Sequence, residues 1–310
     1  MLKNKFALLV PCYNAENHIE SFLENINKLE LPFDETIFYD DASSDRTFEI
    51  LVNKGYQVIK GTKNVGPGYA RNRLAEISNC NWLHFHDIDD GLDPAYLTKT
   101  SKIVAKFDYV DVVLCNVDWY DASTQKPILN WHYTNSEINI NPIKYTIAHP
   151  IGGINGLYRR TKFIETGGFN TKIRVWEDAD FHVKLAQSKA IFYVVEEVLS
   201  YSWRHPKSIS SDQSNSWLTR LQLLKEYSLI FFDTDILLQI GLEAQKTASY
   251  LILQGNTKEA KSALELSEFC KVKVPASSSY LWRFFKFFMP PDFRIGIRIL
   301  QLRLAFRKKL

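Results

Sequence analysis

Residues 6–14 read Phe-Ala-Leu-Leu-Val-Pro-Cys-Tyr-Asn, an apolar run that ends in a polar loop. Five consecutive apolar residues predict a strand that is buried on both faces. Apolar residues at helical spacing follow from Ile19 to Leu29, and a second apolar run covers residues 36–39. This stretch therefore predicts the order strand, helix, strand, with the two strands parallel.

The same alternation continues through the first hundred residues. Apolar runs at 56–59 and 82–86 predict two more strands, each preceded by a helical pattern. Repeated β-α-β units predict an α/β fold in which helices cover both faces of a parallel sheet. Ligands of such sheets bind beyond the carboxyl ends of the strands, so the loops after each strand are the place to look for chemistry.

Length and composition narrow the class of protein. The chain has 310 residues, of which 45% are hydrophobic and 24% charged, and these values exclude general disorder and a multi-span membrane protein. Its four cysteines lie far apart with no CxxC pair, which indicates reduced thiols. The first apolar run is too short for a signal peptide. We therefore expect a cytoplasmic protein.

Charge is distributed unevenly along the chain. The formal net charge is +3, but the residues from Pro275 onward carry +7 and the preceding part carries −4. A mildly acidic body with a basic, aromatic-rich tail argues against a general nucleic-acid binder and for a tail that contacts an anionic surface. The pattern predicts a catalytic domain at 1–211, a helical region at 212–272 and a basic aromatic tail at 273–310.

Carboxylates gather after the fourth predicted strand, in Asp87-Ile-Asp-Asp90. Acidic groups at one strand end repel each other unless a cation lies among them, and hard oxygen ligands suit Mn²⁺ or Mg²⁺. A solvated acidic turn before a helix capped by Asp93 is the simpler alternative. The cluster alone leaves both interpretations open.

Five motifs in order make the sequence resemble the family 2 glycosyltransferases from Phe6 to about Ser210. They are Val10-Pro-Cys-Tyr-Asn14, the loop at 40–45, Asn64-Val-Gly66 running into Ala70-Arg-Asn72, the DxD-type Asp87-Ile-Asp89, and Trp176-Glu-Asp178. The resemblance implies a Rossmann-like, nucleotide-binding A-type glycosyltransferase fold followed by a C-terminal helical region. It also implies an inverting enzyme that uses a nucleotide-diphosphate sugar, with UDP the expected nucleotide.

The resemblance also implies roles for individual residues. It places five residues at the nucleotide: Pro11, Tyr13, Asp41, Arg71 and Asp87. The ring of Tyr13 is expected to stack on the base, the Asp41 carboxylate to accept a hydrogen bond from the base edge, and Arg71 to approach the nucleotide.

A divalent cation, Mn²⁺ or Mg²⁺, is expected on Asp89, with His205 closing over the diphosphate or the metal. Asp178 is the expected catalytic base. The remaining candidates are expected near the acceptor or the donor sugar: Asp90, Gly153, Asn155, Trp176 and Glu177.

The family's processive members carry a QxxRW-type segment and membrane-spanning helices, whereas Ser202-Trp-Arg-His-Pro206 stands at that place here. The sequence therefore predicts transfer of one sugar to a saccharide or lipid-linked saccharide acceptor in surface-glycan synthesis. The basic tail predicts peripheral attachment to the anionic inner face of the cell membrane. Homo-oligomerisation stays open.

Two other interpretations remain. The chain can be a non-catalytic nucleotide-sugar-binding protein or scaffold, in which the helical region joins partners. Alternatively, His84 and His86 form an HxH pair of the kind with which metallohydrolases hold zinc. No second histidine motif accompanies this pair, so we expect both side chains to pack within the sheet.

Overall fold

The computed structural model describes residues 4–204, 212–274 and 288–307. The chain divides into two compact units, one made of Met1–Thr146 and Pro150–Ser208 and the other of Ile147–His149 and Ile209–Leu310. Within the first unit, all described strands belong to a single mixed sheet of nine.

The first half of the sheet follows the predicted alternation of strands and helices. Its elements are β1 (Phe6–Cys12), α1 (Ile19–Ile26), β2 (Glu35–Asp40), α2 (Thr47–Asn53), β3 (Gln57–Lys60), α3 (Pro67–Ile77) and β4 (Trp82–Phe85). These four strands are parallel and lie in the order β3-β2-β1-β4. The predicted α/β fold is confirmed, and the carboxyl ends of the strands meet at one edge.

The second half of the unit continues the sheet with mixed strand directions. Its elements are β5 (Gly91–Leu92), α4 (Tyr96–Lys106), β6 (Val112–Asp121), β7 (Pro127–Trp131), α5 (Asn135–Ile138), α6 (Pro142–Ala148), a 3₁₀ turn (Gly153–Asn155), β8 (Gly156–Arg159), α7 (Arg160–Glu165), α8 (Glu177–Gln187) and β9 (Phe192–Arg204). Strand β8 lies antiparallel between β4 and β6. Strand β6 also pairs with β9 and forms a hairpin with β7.

Both faces of the sheet are buried, as the continuous apolar strands predict. On β1, Ala7 and Leu9 belong to the core under α3 and α8, whereas Leu8 and Val10 belong to the core under α1 and α4. Side chains of a strand alternate between faces, so each strand serves both cores. Polar loops at the strand ends are thereby held on a rigid support.

The His84 and His86 pair lies inside this core. Both side chains are fully buried, Phe33 stacks on His84, and Phe22 stacks on His86. Burial lowers the pKa of His86 to about 4, so its ring is neutral. The prediction that these histidines pack within the sheet is confirmed.

The second unit is helical. It contains α9 (Gln213–Ile230), α10 (Thr234–Leu253), α11 (Thr257–Phe269) and α12 (Pro291–Arg307). Helix α12 packs on α10 and α11, where Arg294 is buried and pairs with Glu268 at 2.8 Å. Arg294 of the predicted basic tail is therefore held by an ion pair within this unit, and attachment of the tail to an anionic surface stays a prediction. Across the described helices, none is both long enough and apolar enough to cross a membrane.

Candidate active site

The loops after β1 and β2 are tied together at the sheet edge. The Asn14 amide donates to the Ser43 hydroxyl at 2.9 Å, and the Asn14 side-chain oxygen accepts from the Ser44 amide at 2.8 Å. Pro11 is the penultimate residue of β1, and Tyr13 in the following loop is 51% exposed. The Tyr13 ring is therefore open to a planar ligand at this edge.

Asp41 holds the loop that leads into α3. Its buried carboxylate accepts from the Val65 amide at 3.0 Å and from the Gly66 amide at 2.7 Å. Gly66 has a φ of +116°, which a residue with a side chain rarely adopts. The Asp41 carboxylate therefore orients this loop through two hydrogen bonds. Its predicted contact with the edge of the base stays a prediction.

Arg71 lies at the centre of the acidic groups. Its Nη2 donates to Asp87 and its Nη1 to Glu177, each at 2.7 Å, and its side chain is 5% exposed. Burial acts to lower the pKa of Arg71, but the charges of Asp87 and Glu177 outweigh it and raise that pKa. One buried cation thus joins α3 to the end of β4 and to the start of α8.

A strained residue sets the start of α8. Trp176, the residue before this helix, has a φ of +66°, in the left-handed region that bulky side chains avoid. Such strain persists only where the surrounding structure imposes it, and it is found most often at functional sites. The turn directs Glu177 toward Arg71 and leaves Asp178 beside the 3₁₀ turn.

The half-buried Asp178 carboxylate lies among backbone donors. Its Oδ1 accepts from the Ala179 amide at 2.7 Å and its Oδ2 from the Gly153 amide at 3.2 Å. Burial raises the pKa of Asp178, while the charge of Arg71 and these hydrogen bonds act to lower it, and the net shift is upward. A carboxylate with a raised pKa is a stronger base than an ordinary one.

A chain of two hydrogen bonds connects the first turn of α8 to Tyr158 in β8. Nδ1 of His182 lies 2.7 Å from the Asp178 carbonyl, and Nε2 lies 2.9 Å from the Tyr158 hydroxyl. A carbonyl only accepts, so Nδ1 carries the proton and Nε2 accepts from Tyr158. Burial lowers the pKa of His182 to about 4, which keeps this arrangement neutral and constant at physiological pH.

Three carboxylates follow β4, and they differ in their surroundings. Asp87 is 38% exposed beside Arg71, Asp89 is half-buried, and Asp90 accepts from the Trp203 amide at 3.0 Å. Asp89 and Asp90 also line a cavity of about 320 Å³. Burial, and then the charges of Asp89 and Asp87, raise the pKa of Asp90 well above its usual range.

The chemistry of these carboxylates fits a divalent cation. Their negative charges repel one another at a single strand end, and a cation bound by their hard oxygen atoms would remove that repulsion. Within the described ranges, no three acidic, histidine or cysteine side chains are grouped closely enough to hold a metal ion by themselves. A cation at Asp87 and Asp89 would therefore need further oxygen ligands from a bound molecule, and diphosphate oxygens have that chemistry.

The arrangement combines an exposed aromatic ring, a half-exposed acidic loop and a half-buried carboxylate within one unit. A family model described as "Glycosyl transferase family 2" matches residues 7–167, about half of the chain. The chain belongs to this family. As a family 2 glycosyltransferase it is an enzyme, and the resemblance that the motifs carry is confirmed.

Two curated proteins are similar to this family 2 glycosyltransferase over about two thirds of its chain. An uncharacterized glycosyltransferase of Haemophilus influenzae is 27% identical over 221 residues, which cover 68% of this chain and 72% of that protein. The minor teichoic acid biosynthesis protein GgaA of Bacillus subtilis is 27% identical over 228 residues, covering 69% of this chain but 50% of GgaA.

Solved structures of this fold match most of the family 2 glycosyltransferase chain. The S. aureus TarS 1–349 structure in complex with UDP-GlcNAc has a TM-score of 0.72 at 17% identity, covering 98% of this chain and 92% of that one. The mannosyltransferase PcManGT from Pyrobaculum calidifontis, in complex with GDP-Man and Mn²⁺, has a TM-score of 0.60 at 16% identity and covers 99% and 87%. The A-type glycosyltransferase fold is confirmed.

The predicted site residues of this family 2 glycosyltransferase fall into connected groups. The structure brings together Arg71, Asp87, Glu177, Asp178 and Gly153 through direct contacts. Asn155 is buried in the adjacent 3₁₀ turn. His205 lies outside the described residues, so its predicted role stays a prediction.

Motif reading missed Trp131, which ends β7 beside Gly152 and Asp178. The position of Trp131 depends on the pairing of β6 with β7, which no local motif encodes. The sequence therefore shows only a tryptophan in a stretch without a clear apolar pattern.

Proposed function

We propose that this glycosyltransferase moves one sugar, with inversion, from a nucleotide-diphosphate sugar to a hydroxyl of a saccharide or lipid-linked saccharide acceptor. The observation that carries the proposal is the half-buried Asp178 carboxylate, with its raised pKa, beside the Arg71 ion pairs. The strained turn at Trp176 argues against a purely non-catalytic scaffold, because such a protein has no need of a strained turn that presents a carboxylate of raised pKa.

In the proposed step, the acceptor oxygen attacks the anomeric carbon from the side opposite the diphosphate. A carbon–oxygen bond to the acceptor forms as the bond to the diphosphate oxygen breaks. The acceptor proton passes to Asp178, and the bonding electrons leave with the nucleoside diphosphate. A single displacement of this kind inverts the anomeric centre.

The donor is proposed to lie over the loops after β1, β2 and β4. Tyr13 would stack on the base, with Pro11 beside it, and Asp87 and Arg71 would lie on the phosphate and ribose side. The UDP-GlcNAc complex of TarS supports a uridine nucleotide, since that protein shares the fold. The sugar itself is set by loop side chains.

A divalent cation, Mn²⁺ or Mg²⁺, is proposed on Asp89, with His205 as a further ligand. When bound, it supplies positive charge for the departing diphosphate. The carboxylate loop and the Mn²⁺ complex of PcManGT support this proposal. Asp90 would help by holding the end of β9 through the Trp203 amide.

The direct test is a panel of nucleotide sugars, measured by thermal shift with and without Mn²⁺ and then by donor hydrolysis. We expect a uridine nucleotide sugar to raise the melting temperature only when the cation is present, because the acidic loop repels the diphosphate without it. Chelation with EDTA should weaken donor binding at least about tenfold, and Mn²⁺ should restore it.

Asp89→Asn separates the cation from the rest of the site. The variant should lose the Mn²⁺-dependent part of donor binding, whereas Asp178→Asn, which lies across the site, should keep it. Donor binding that survives both EDTA and Asp89→Asn would remove the metal role. A panel in which no nucleotide sugar binds would remove the proposed function.

The acceptor is proposed to belong to a surface glycan, and the enzyme to work at the inner face of the cell membrane. Similarity to the teichoic acid protein GgaA supports a glycan acceptor. Helix α12 exposes the apolar residues Phe293, Leu300 and Leu304 on the side opposite the buried Ile295 and Leu302. The exposed Arg303 precedes Leu304 in this row, and the sequence continues with the basic residues Arg307, Lys308 and Lys309, which suits an anionic lipid surface.

We predict that Leu300→Gln with Leu304→Gln lowers binding to phosphatidylglycerol vesicles at least about tenfold, because each buried leucine contributes roughly 1.5–3 kcal/mol. Co-sedimentation measures the effect. Leu31→Gln replaces a leucine of similar exposure in the first unit and should leave binding unchanged. Equal vesicle binding by the double variant and the unmodified chain would exclude α12 as the attachment surface.

A further inference from the structure

The hairpin of β6 and β7 carries two tryptophans that no motif assigns. Trp119 and Trp131 meet edge to face, with ring centroids 4.9 Å apart and planes at 62°. Trp131 is half-buried, and it closes the hairpin through its pairing with Val117. A paired, interlocked tryptophan loses little freedom when a ligand binds to it.

Gly152 brings Trp131 next to the proposed base. A Cβ on Gly152 would lie 3.0 Å from Cζ3 of the Trp131 ring and 3.7 Å from Oδ2 of Asp178. The ring edge and the carboxylate therefore flank the same glycine. A side chain at this position would push Trp131 away, and the absence of one lets the indole approach the 3₁₀ turn.

A second polar group converges on the same point. Oδ1 of Asn155 lies 2.8 Å from the position of that Cβ, and the Asn155 side chain is fully buried. Within the described part of the chain this oxygen has no hydrogen-bond partner. Buried acceptors without a donor are rare in folded proteins, and an incoming hydroxyl is a donor of the right kind.

These features have the chemistry of a sugar-ring site. The C–H face of a pyranose is apolar and packs on an aromatic plane, while its hydroxyls need a few polar partners around the rim. On the other face of the hairpin, Asp118 accepts from Asn130 at 2.7 Å and lies 2.9 Å from His132, and these contacts hold the two strands together behind the rings.

We propose that Trp131 is the acceptor platform of this enzyme: a pyranose ring of the saccharide acceptor stacks on its indole, and Asn155 accepts a hydrogen bond from one of the ring hydroxyls. The stacked ring presents a neighbouring hydroxyl to Asp178. This inference rests on the proposed function, and it names the class of acceptor that the site takes.

The test measures acceptor and donor steps separately. The probes are p-nitrophenyl glycosides of glucose, galactose and N-acetylglucosamine, with the donor selected by thermal shift. Trp131→Ala should raise the acceptor KM about tenfold and leave donor hydrolysis by water within twofold, whereas Trp131→Phe should keep most of the affinity. Ile128→Ala, on the exposed opposite face of β7, is the matched control and should change neither.

Binding provides a readout that does not depend on turnover. Saturation-transfer NMR with the same glycosides on Asp178→Asn should show contacts to the sugar ring that Trp131→Ala abolishes. An unchanged acceptor KM and unchanged NMR contacts in Trp131→Ala would overturn the platform. So would an equal fall in donor hydrolysis and transfer, which indicates a structural role, or a preference for glycerol phosphate over every glycoside. A chain that binds glycosides through Trp131 but turns over no donor would instead count against the proposed function.

Discussion

Replacing Asp178 with asparagine is expected to lower kcat for sugar transfer about a thousandfold, because general bases contribute roughly 10²–10⁴-fold to such reactions. The asparagine oxygen can keep the hydrogen bond from the Gly153 or the Ala179 amide, but its NH₂ group then faces the other amide, so a small loss of stability is expected as well. Donor binding, which is proposed to depend on other loops, should stay within about threefold of the unmodified enzyme. Single-turnover transfer and thermal-shift titration measure the two quantities.

The same helix offers a matched control. Asp180 follows two residues later on the opposite side of α8, where it pairs with Lys184 at 3.2 Å. Asp180→Asn makes the same chemical change in the same helical turn and should retain transfer, and because Asp180 is buried its loss of stability is measured separately by urea unfolding. Equal transfer rates in Asp178→Asn and the unmodified enzyme would exclude Asp178 as the base.

A failure of donor binding in Asp178→Asn would have a different meaning. It would assign the carboxylate to the donor site, since removal of a base should affect the reaction and leave the bound ground state intact. The variant therefore distinguishes a catalytic role from a binding role. Circular dichroism on the purified protein excludes unfolding as the cause of either result.

The first half of the sheet was predictable because its signals are local. An apolar run such as residues 6–10 identifies a buried strand, and the polar loop that follows identifies the ligand-binding edge. The observed β1 extends only two residues further, to Cys12. The signal for Asp178 is also local, because its motif lies within one short segment, and its role as the base stays a prediction.

The rest of the site depends on contacts between distant residues. Arg71 and Glu177 are 106 positions apart, and the 2.7 Å bond between them follows from packing α3 against α8. The position of Trp131 beside Gly152 depends in the same way on the register of β6 and β7. Register and helix packing are set by the whole core, so no local motif indicates which partners will meet.

Removal of Arg71 is expected to affect stability and catalysis together. Arg71→Leu leaves Glu177 buried without its counter-ion and frees Asp87, and breaking a buried pair in this way costs about 3–5 kcal/mol. Urea unfolding measures the loss. Arg71→Lys keeps one positive charge but cannot hold two carboxylates in a planar fork, so an intermediate loss is expected.

A double variant separates the two effects. In Arg71→Leu with Glu177→Leu, both buried charges are absent, and the half-exposed Asp87 can be hydrated. Replacing a buried ion pair by apolar residues is often neutral for stability, so most of the unfolding free energy should return. Transfer activity should not return, since the apolar pair no longer connects the donor side of the site to the start of α8.

The pH profile of Arg71→Lys tests the electrostatic part of this argument. The charge of Arg71 acts to lower the pKa of Asp178, whereas burial raises it. The lysine side chain is shorter, so in Arg71→Lys the positive charge should lie further from Asp178 and the pKa of Asp178 should rise further. As the proposed base, Asp178 must be ionised to accept a proton, so activity should be lost as pH falls through its pKa. The acidic limb of kcat should therefore move to higher pH in Arg71→Lys. Glu177 and Asp87 also face this region, so Glu177→Gln serves as the comparison. An acidic limb that stays in place in Arg71→Lys would show that Arg71 stabilises the site without changing the pKa of Asp178.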